Sequence, residues 1–315
     1  MIRYLRFFYG MGCIGLLMAV AVLTLSGCGS SPPKQKGPAP DQALERFNRA
    51  ARQAYDKGRL EQAANFYRRA LERAYARDDT AAILDAQYNL AVCLLNLNSY
   101  QEALDVVRRA ETEMALTDHG KSLDFLLLEA TILHRRGDLD QAWQITDQIL
   151  SRQIEASSAV GSKTHFLRGL MASERGDMTQ LRAEITALGQ PEQSRLRADR
   201  QELVGRLAMA EQNWDTAIEA FDSASNLRRE TLDYRGMVRV VVLAGEASQK
   251  AGRTREAAIY YLRAGRSAFW QDEFDDARQW LNQSARLATS AGEDQILQEA
   301  RNLLQQIEEL DAASS

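Results

Sequence analysis

The chain has 315 residues, a formal net charge of −4, and 45% hydrophobic and 26% charged residues. That balance is typical of a foldable chain, and with no basic block along it nucleic acid is not an expected partner. Its three cysteines, Cys13, Cys28 and Cys93, make no CxxC pair, so zinc and dithiol redox chemistry have no basis in the sequence.

Residues 1–27 read as an export signal. Arg3 and Arg6 are followed by an uncharged apolar run from Phe7 to Leu25, closed by Leu25-Ser26-Gly27-Cys28. That ending resembles the lipobox of bacterial lipoproteins. The resemblance implies cleavage before Cys28 and acylation of its sulfur; the alternative is an uncleaved membrane span. An aspartate after the lipidated cysteine usually retains such proteins in the inner membrane. Here the position is Gly29, which implies the outer membrane facing the periplasm, or the outer face of the plasma membrane in a Gram-positive cell. Residues 28–40 are the lipidated cysteine and a tether, GSSPPKQKGPAP from Gly29, with no residue able to build a core.

Residues 41–315 are expected to be helical throughout, with Pro191 the only proline beyond Pro40. Asp41 is a candidate N-cap, followed by Leu44, Phe47, Ala51 and Ala54 on one face. Gly58 then ends the first helix, and Leu60 to Tyr75 forms its partner. Turn-forming residues recur at Asp78-Asp79, Asn98, Asp118-His119, Gly137, Ser157-Ser158, Gly176, Gln190-Pro191, Gln212, Glu230, Gly252, Asp272 and Gly292, giving about fourteen helices in seven pairs. The last, Glu293 to Leu310, is apolar on one side and polar on the other, as the cap of a stacked array must be, and Asp311 to Ser315 is expected to fray.

The stretch GRLEQAANFYRRAL at Gly58 returns at Asn98, Gly137, Gln212 and Gly252, with a degraded copy at Gly176. The residue after the turn, Ala63, Ala103, Ala142, Leu181, Ala217 and Ala257, recurs at spacings of 40, 39, 39, 36 and 40. Fixed-period similarity of this length marks a stacked helical array.

These copies resemble tetratricopeptide repeats. The pattern is carried by Ala51, Gly58, Leu60, Ala63, Tyr67 and Ala70 in the first unit. Gly205, Gln212, Trp214, Ala217, Phe221 and Ala224 carry it in the fifth, and Gly245, Gly252, Thr254, Ala257, Tyr261 and Ala264 in the sixth. The period is longer than the family's 34 residues and its repeat-ending proline is missing. Gly265, Ala268, Phe274, Ala277 and Leu281 fit the pattern 20 residues out of phase with the sixth copy. The resemblance implies an all-α, right-handed superhelical solenoid of antiparallel helix pairs, about seven in number, with a C-terminal capping helix.

No catalytic motif is present. His119, His134 and His165 are scattered without metal-ligand spacing. His119 falls in a turn, His134 at a helix end where a cation favours the dipole, and His165 beside Phe166, where packing or surface exposure is expected. Cys93 lies on a core face between Ala91 and Leu94 and reads as a buried free thiol. No enzyme activity, cofactor or metal is expected.

In the tetratricopeptide family the first helix of each pair lines the concave side, which binds peptides or helices. Those positions here hold Asn48, Arg52 and Tyr55; Tyr88, Val92 and Leu95; Leu127, Thr131 and His134; and Glu202, Arg206 and Met209. The corresponding places of the family's carboxylate clamp hold Asn48, Arg52 and Asn89, without a lysine. Arg52, Tyr55, Tyr88, Asn89, His134 and Arg206 are therefore the candidate partner-binding residues, and Cys28 the lipidation site. Trp270 lies about 180° around its helix from Tyr261, Gly265 and Ala268, and is expected to pack against a second neighbour. The function these features imply is a membrane-anchored scaffold that binds an envelope protein or peptide and assists assembly of an envelope complex. The alternatives are a homo-oligomeric spacer, or a solenoid enzyme or small-ligand binder.

Overall fold

The computed structural model describes residues 41–117, 122–152, 154–155 and 158–314. Fourteen α-helices and no strand are present among them. They are α1 (Gln42–Asp56), α2 (Leu60–Tyr75), α3 (Thr80–Asn96), α4 (Tyr100–Leu116), α5 (Leu123–Arg136), α6 (Leu139–Leu150) and α7 (Ala159–Arg175). The array continues with α8 (Met178–Leu188), α9 (Ser194–Ala210), α10 (Trp214–Glu230), α11 (Tyr234–Lys250), α12 (Thr254–Phe269), α13 (Phe274–Ala291) and α14 (Asp294–Ser314). The turn signals at 118–119 and Ser157, like the lipobox and the tether, lie outside the described residues.

Each local signal has a structural counterpart. Asp41 caps α1, its Oδ1 accepting from the backbone N–H groups of Ala43 (2.9 Å) and Leu44 (3.1 Å). Backbone at positive φ ends helices at Gly58, Asp78, Asn98, Gly137, Gly176, Gln212, Gly252, Asp272 and Gly292. Glycine takes this conformation without a Cβ penalty, and Asn and Asp tolerate it. Two turns differ from expectation: the left-handed residues are Gly189 rather than Gln190-Pro191, and Leu232 rather than Glu230. The last helix also differs. It runs to Ser314 instead of fraying at Asp311, which pairs with Arg278 of α13.

Consecutive helices pack against one another along the whole array, and α3, α5, α7 and α9 also touch in succession, so first helices lie side by side on one face. The largest core cluster runs from Ala51 in α1 to Met171 in α7, and further clusters continue it to Ile307 in α14. The repeat's small residues permit the closest approaches. A Cβ at Gly205 of α9 would sit 2.5 Å from Phe221 Cε1 of α10, and one at Gly245 of α11 would sit 3.3 Å from Tyr261 Cζ of α12. Gly265 of α12 likewise meets Leu281 Cγ of α13 at 2.7 Å. The two registers seen in the sequence are therefore both real: α12 is the second helix of one unit and the first helix of the next.

Candidate partner-binding surface

The first helices α1 and α3 bring three of the expected residues, Arg52, Tyr55 and Tyr88, toward one surface. Tyr55, at the end of α1, is 38% exposed, and its hydroxyl accepts from Asn96 Nδ2 of α3 at 3.3 Å. Tyr88 of α3 is half-buried and stands edge-on to Phe125 of α5, with ring centroids 5.5 Å apart. Burial raises the hydroxyl pKa of both tyrosines; at Tyr88 the negative charge of Asp124 adds to it. The positive charge of Arg235 on α11 acts on Tyr55 in the opposite sense, so α11 also faces this region. Arg52 is exposed one turn before Tyr55 and has no hydrogen bond or ion pair among the described residues. Beside Tyr88 lies an open hollow of about 400 Å³, lined by Leu84, Asp85, Met114, Ser122, Asp124 and Phe125.

The other candidates sit elsewhere. Asn89 donates to the backbone oxygen (2.8 Å) and the carboxylate (3.2 Å) of Asp85 on its own helix. His134, in the last turn of α5, has its Nε2 3.0 Å from Glu174 Oε1 of α7. Arg206 on α9 is held by Glu202 one turn earlier, at 3.1 Å. Cys28 is outside the described residues.

Glu202 departs from its expected place in an open groove. It is fully buried. Arg239 of α11 donates to both its oxygens (3.0 and 2.8 Å), and Arg228 of α10 donates to Oε2 at 2.7 Å. Arg228 also binds Asp199 Oδ1 (2.9 Å) and Asp233 Oδ2 (2.5 Å), so three carboxylates and three guanidiniums bolt α9, α10 and α11 together. Burial alone pushes Glu202 up, but Arg239, with Arg206 and Arg228, overcomes it and holds the carboxyl at about 2. Burial pushes Asp199 up to about 6, opposed by Arg228 and reinforced by the charge of Glu202. A buried charge needs such pairing to remain ionised. The signal is visible in the sequence, since Arg228 continues the apolar stripe Ala217, Phe221, Ala224 at helical spacing.

A second network joins α6, α7 and α8. Buried Glu184 lies 2.6 Å from His165 Nδ1 and accepts from Arg168 Nε at 2.8 Å. Arg168 also pairs with Asp147 and stacks over Trp143, 3.9 Å from the ring centroid. In both networks the buried carboxylates are held by guanidinium or imidazole groups, and no group of three or more His, Cys, Asp or Glu side chains among the described residues is placed to hold a metal ion. No described helix is long and apolar enough to cross a membrane.

Cys93 is buried without exposure in the core of α3, and burial pushes its thiol up to about 12. Trp270 does not pack as expected. It closes α12 with 75% of its surface exposed, while Phe269 beside it takes the core position.

No family model matches the chain, and no curated protein matches it. Solved structures do. The apo form of RapI superimposes with a TM-score of 0.51 at 12% identity, over 85% of this chain and 76% of that one. A Rap protein in complex with competence and sporulation factor gives 0.49 at 13% identity, over 87% and 98%. A tetratricopeptide repeat protein from Parabacteroides merdae gives 0.46 at 17% identity, over 83% and 100%. The chain is an all-α solenoid of antiparallel helix pairs, a fold it shares with RapI. The small-on-large contacts Gly205–Phe221, Gly245–Tyr261 and Gly265–Leu281 seat its neighbouring helices closely against one another.

Proposed function

We propose that this chain is a lipid-anchored, non-enzymatic scaffold of the bacterial envelope that holds a protein or peptide segment on the face of its first helices. The observation that carries the reading is the surface formed by Tyr55 and Tyr88, with exposed Arg52, which has no ion pair among the described residues, one turn before Tyr55. Tyrosine and arginine are the residue types that most often dominate interface energy, because each combines a large contact area with a polar tip. The hollow next to Tyr88 offers a seat for an apolar side chain of the partner. The address rests on the signal ending at Cys28: acyl chains on that residue anchor the chain, and Gly29 directs it to the outer membrane facing the periplasm.

A photo-crosslinking amino acid at Tyr88, in the full-length protein in intact cells, tests the surface. The expected result is a dominant adduct with one envelope protein, abolished by Arg52→Glu. Adducts between copies of the chain would instead make it a homo-oligomeric spacer. Mass spectrometry of the N-terminal peptide tests the anchor separately, since acylated Cys28 is expected and an unprocessed Met1 start would refute it.

A further inference from the structure

The hollow beside Tyr88 carries two carboxylates and, among the described residues, no lysine or arginine. Asp85 and Tyr88 lie one turn apart on α3 and so share a face. Asp124 and Phe125 lie in the first turn of α5. Met114, near the end of α4, and Phe125 are buried and form the floor, whereas Asp85 and Asp124 are exposed and stand at the rim. Asp124 is close enough to Tyr88 for its charge to act on that hydroxyl.

Elsewhere in the array, exposed carboxylates are met by arginines of a neighbouring unit, as in Arg68–Glu102, Arg175–Asp140, Arg253–Asp215 and Arg235–Glu273. Asp85 and Asp124 have no ion pair among the described residues. Asp85 takes a hydrogen bond from Asn89 Nδ2 at 3.2 Å, which holds the carboxylate without neutralising it. The helix dipole accounts for an acidic group in a first turn, where Asp124 sits, but Asp85 is in the second turn of α3, beyond that effect. The hydroxyls of Tyr88 and Ser122, which also line the hollow, make no hydrogen bond among the described residues.

We infer that this hollow docks a segment of a protein partner in which an apolar residue adjoins an arginine, the apolar side chain resting on Met114 and Phe125 and the guanidinium meeting Asp85 and Asp124. The inference rests on the scaffold function proposed above and names the chemistry of what its Tyr88 surface holds. Charge complementarity selects the occupant. Arginine brings five N–H donors and no acceptor, which suits a rim of carboxylates that lacks a cation. Its planar head also packs on aromatic faces, and the half-buried ring of Tyr88 supplies one. An acidic segment would set like charge against both aspartates. At about 400 Å³ the hollow is near the lower end of ligand pockets, roughly 300–1,000 Å³, so it seats side chains rather than a folded element.

The test uses the full-length lipidated protein in detergent, with Phe125 replaced by 4-fluorophenylalanine as a reporter. The probe is the peptide acetyl-Leu-Arg-Leu-amide; the same peptide with citrulline keeps the shape and loses the charge. A saturable shift of the fluorine resonance is expected with the arginine peptide, weakening as salt is raised. Binding about tenfold weaker is expected for the citrulline peptide, and for the arginine peptide with Asp85→Asn/Asp124→Asn. Both aspartates are exposed, so the double variant should keep the folded fluorine spectrum. Equal binding of the two peptides, binding that survives the double variant, or no saturable shift overturns the inference. A protein adduct from Tyr88 in cells then leaves the scaffold standing without its arginine seat. A saturable arginine shift without any adduct from Tyr88 rejects the scaffold, and with it the docking of a protein partner here. A resonance that moves when the protein alone is diluted gives the hollow to a second copy and also overturns the inference.

Discussion

Glu202 of α9 and Arg239 of α11 are joined by two hydrogen bonds, Nε to Oε1 at 3.0 Å and Nη2 to Oε2 at 2.8 Å, across 37 residues of sequence. With Arg206 and Arg228 also on this carboxylate, Glu202→Gln leaves three guanidiniums around a neutral amide. Breaking a buried pair from one side costs about 3–5 kcal/mol. The pH dependence has a definite sign. The folded carboxyl titrates near 2, below its ordinary 4.5, so its contribution is fully present above pH 4.5 and is lost as pH falls toward 2. Urea denaturation of the wild type and Glu202→Gln is therefore expected to show a constant gap at pH 7–8, above the titration of the neighbouring Asp199, that closes as pH falls from 4.5 toward 2. A gap that persists unchanged at pH 3 would contradict this.

Gly205 faces the fully buried ring of Phe221, with no room for a methyl group. Gly205→Ala is expected to cost about 1–3 kcal/mol by overpacking. Phe221→Leu is destabilising alone, but it should recover part of that loss in the Gly205→Ala background, because the two sites are in contact and couple. Additive effects in the double-mutant cycle would show that the helices do not approach here as described.

Local chemistry explains which features were legible in advance. Turns at Gly58, Asn98 or Asp272 announce themselves because those residues tolerate positive φ. Leu232 carries no turn signal, and the turn was expected two residues early at Glu230. Gly265 and Leu281 were visible as a second register, but only packing shows that α12 serves both units. Glu202 falls on an open face when the tetratricopeptide family's groove positions are projected onto this chain, together with Arg206 and Met209. Its burial depends on Arg228 and Arg239, 26 and 37 residues away; the stripe Ala217, Phe221, Ala224 marks Arg228 as inward-facing, but nothing in the sequence pairs either arginine with Glu202. Trp270 was expected to pack because a large aromatic within an array normally does. It lies at the C-cap of α12, where the helix ends before a second neighbour covers it.

Cys93 tests the core of the N-terminal pairs. Burial pushes its thiol up to about 12, so at pH 8 it is protonated as well as inaccessible. Mature lipidated protein is expected to show no thiol reactive toward Ellman's reagent while folded and one thiol in denaturant. A rapidly reacting thiol in the folded protein means either that Cys28 is not acylated or that Cys93 is open. Repeating the titration on Cys93→Ala distinguishes the two.

Trp270 and Trp280 lie ten residues apart and should behave oppositely. Trp280 stacks on Tyr261 with centroids 6.0 Å apart and planes inclined by 16°, filling the space between α12 and α13. Its replacement by alanine is expected to cost about 2 kcal/mol, less than a fully buried tryptophan because one side of the ring meets solvent. Trp270 touches Phe269 edge-on and little else. In detergent solution Trp270→Ala should change stability by no more than about 0.5 kcal/mol. It should also remove the most red-shifted component of the tryptophan emission, because that ring is surrounded by water. A large loss of stability on removing Trp270 would mean that the ring is part of the fold and not free for any surface outside it.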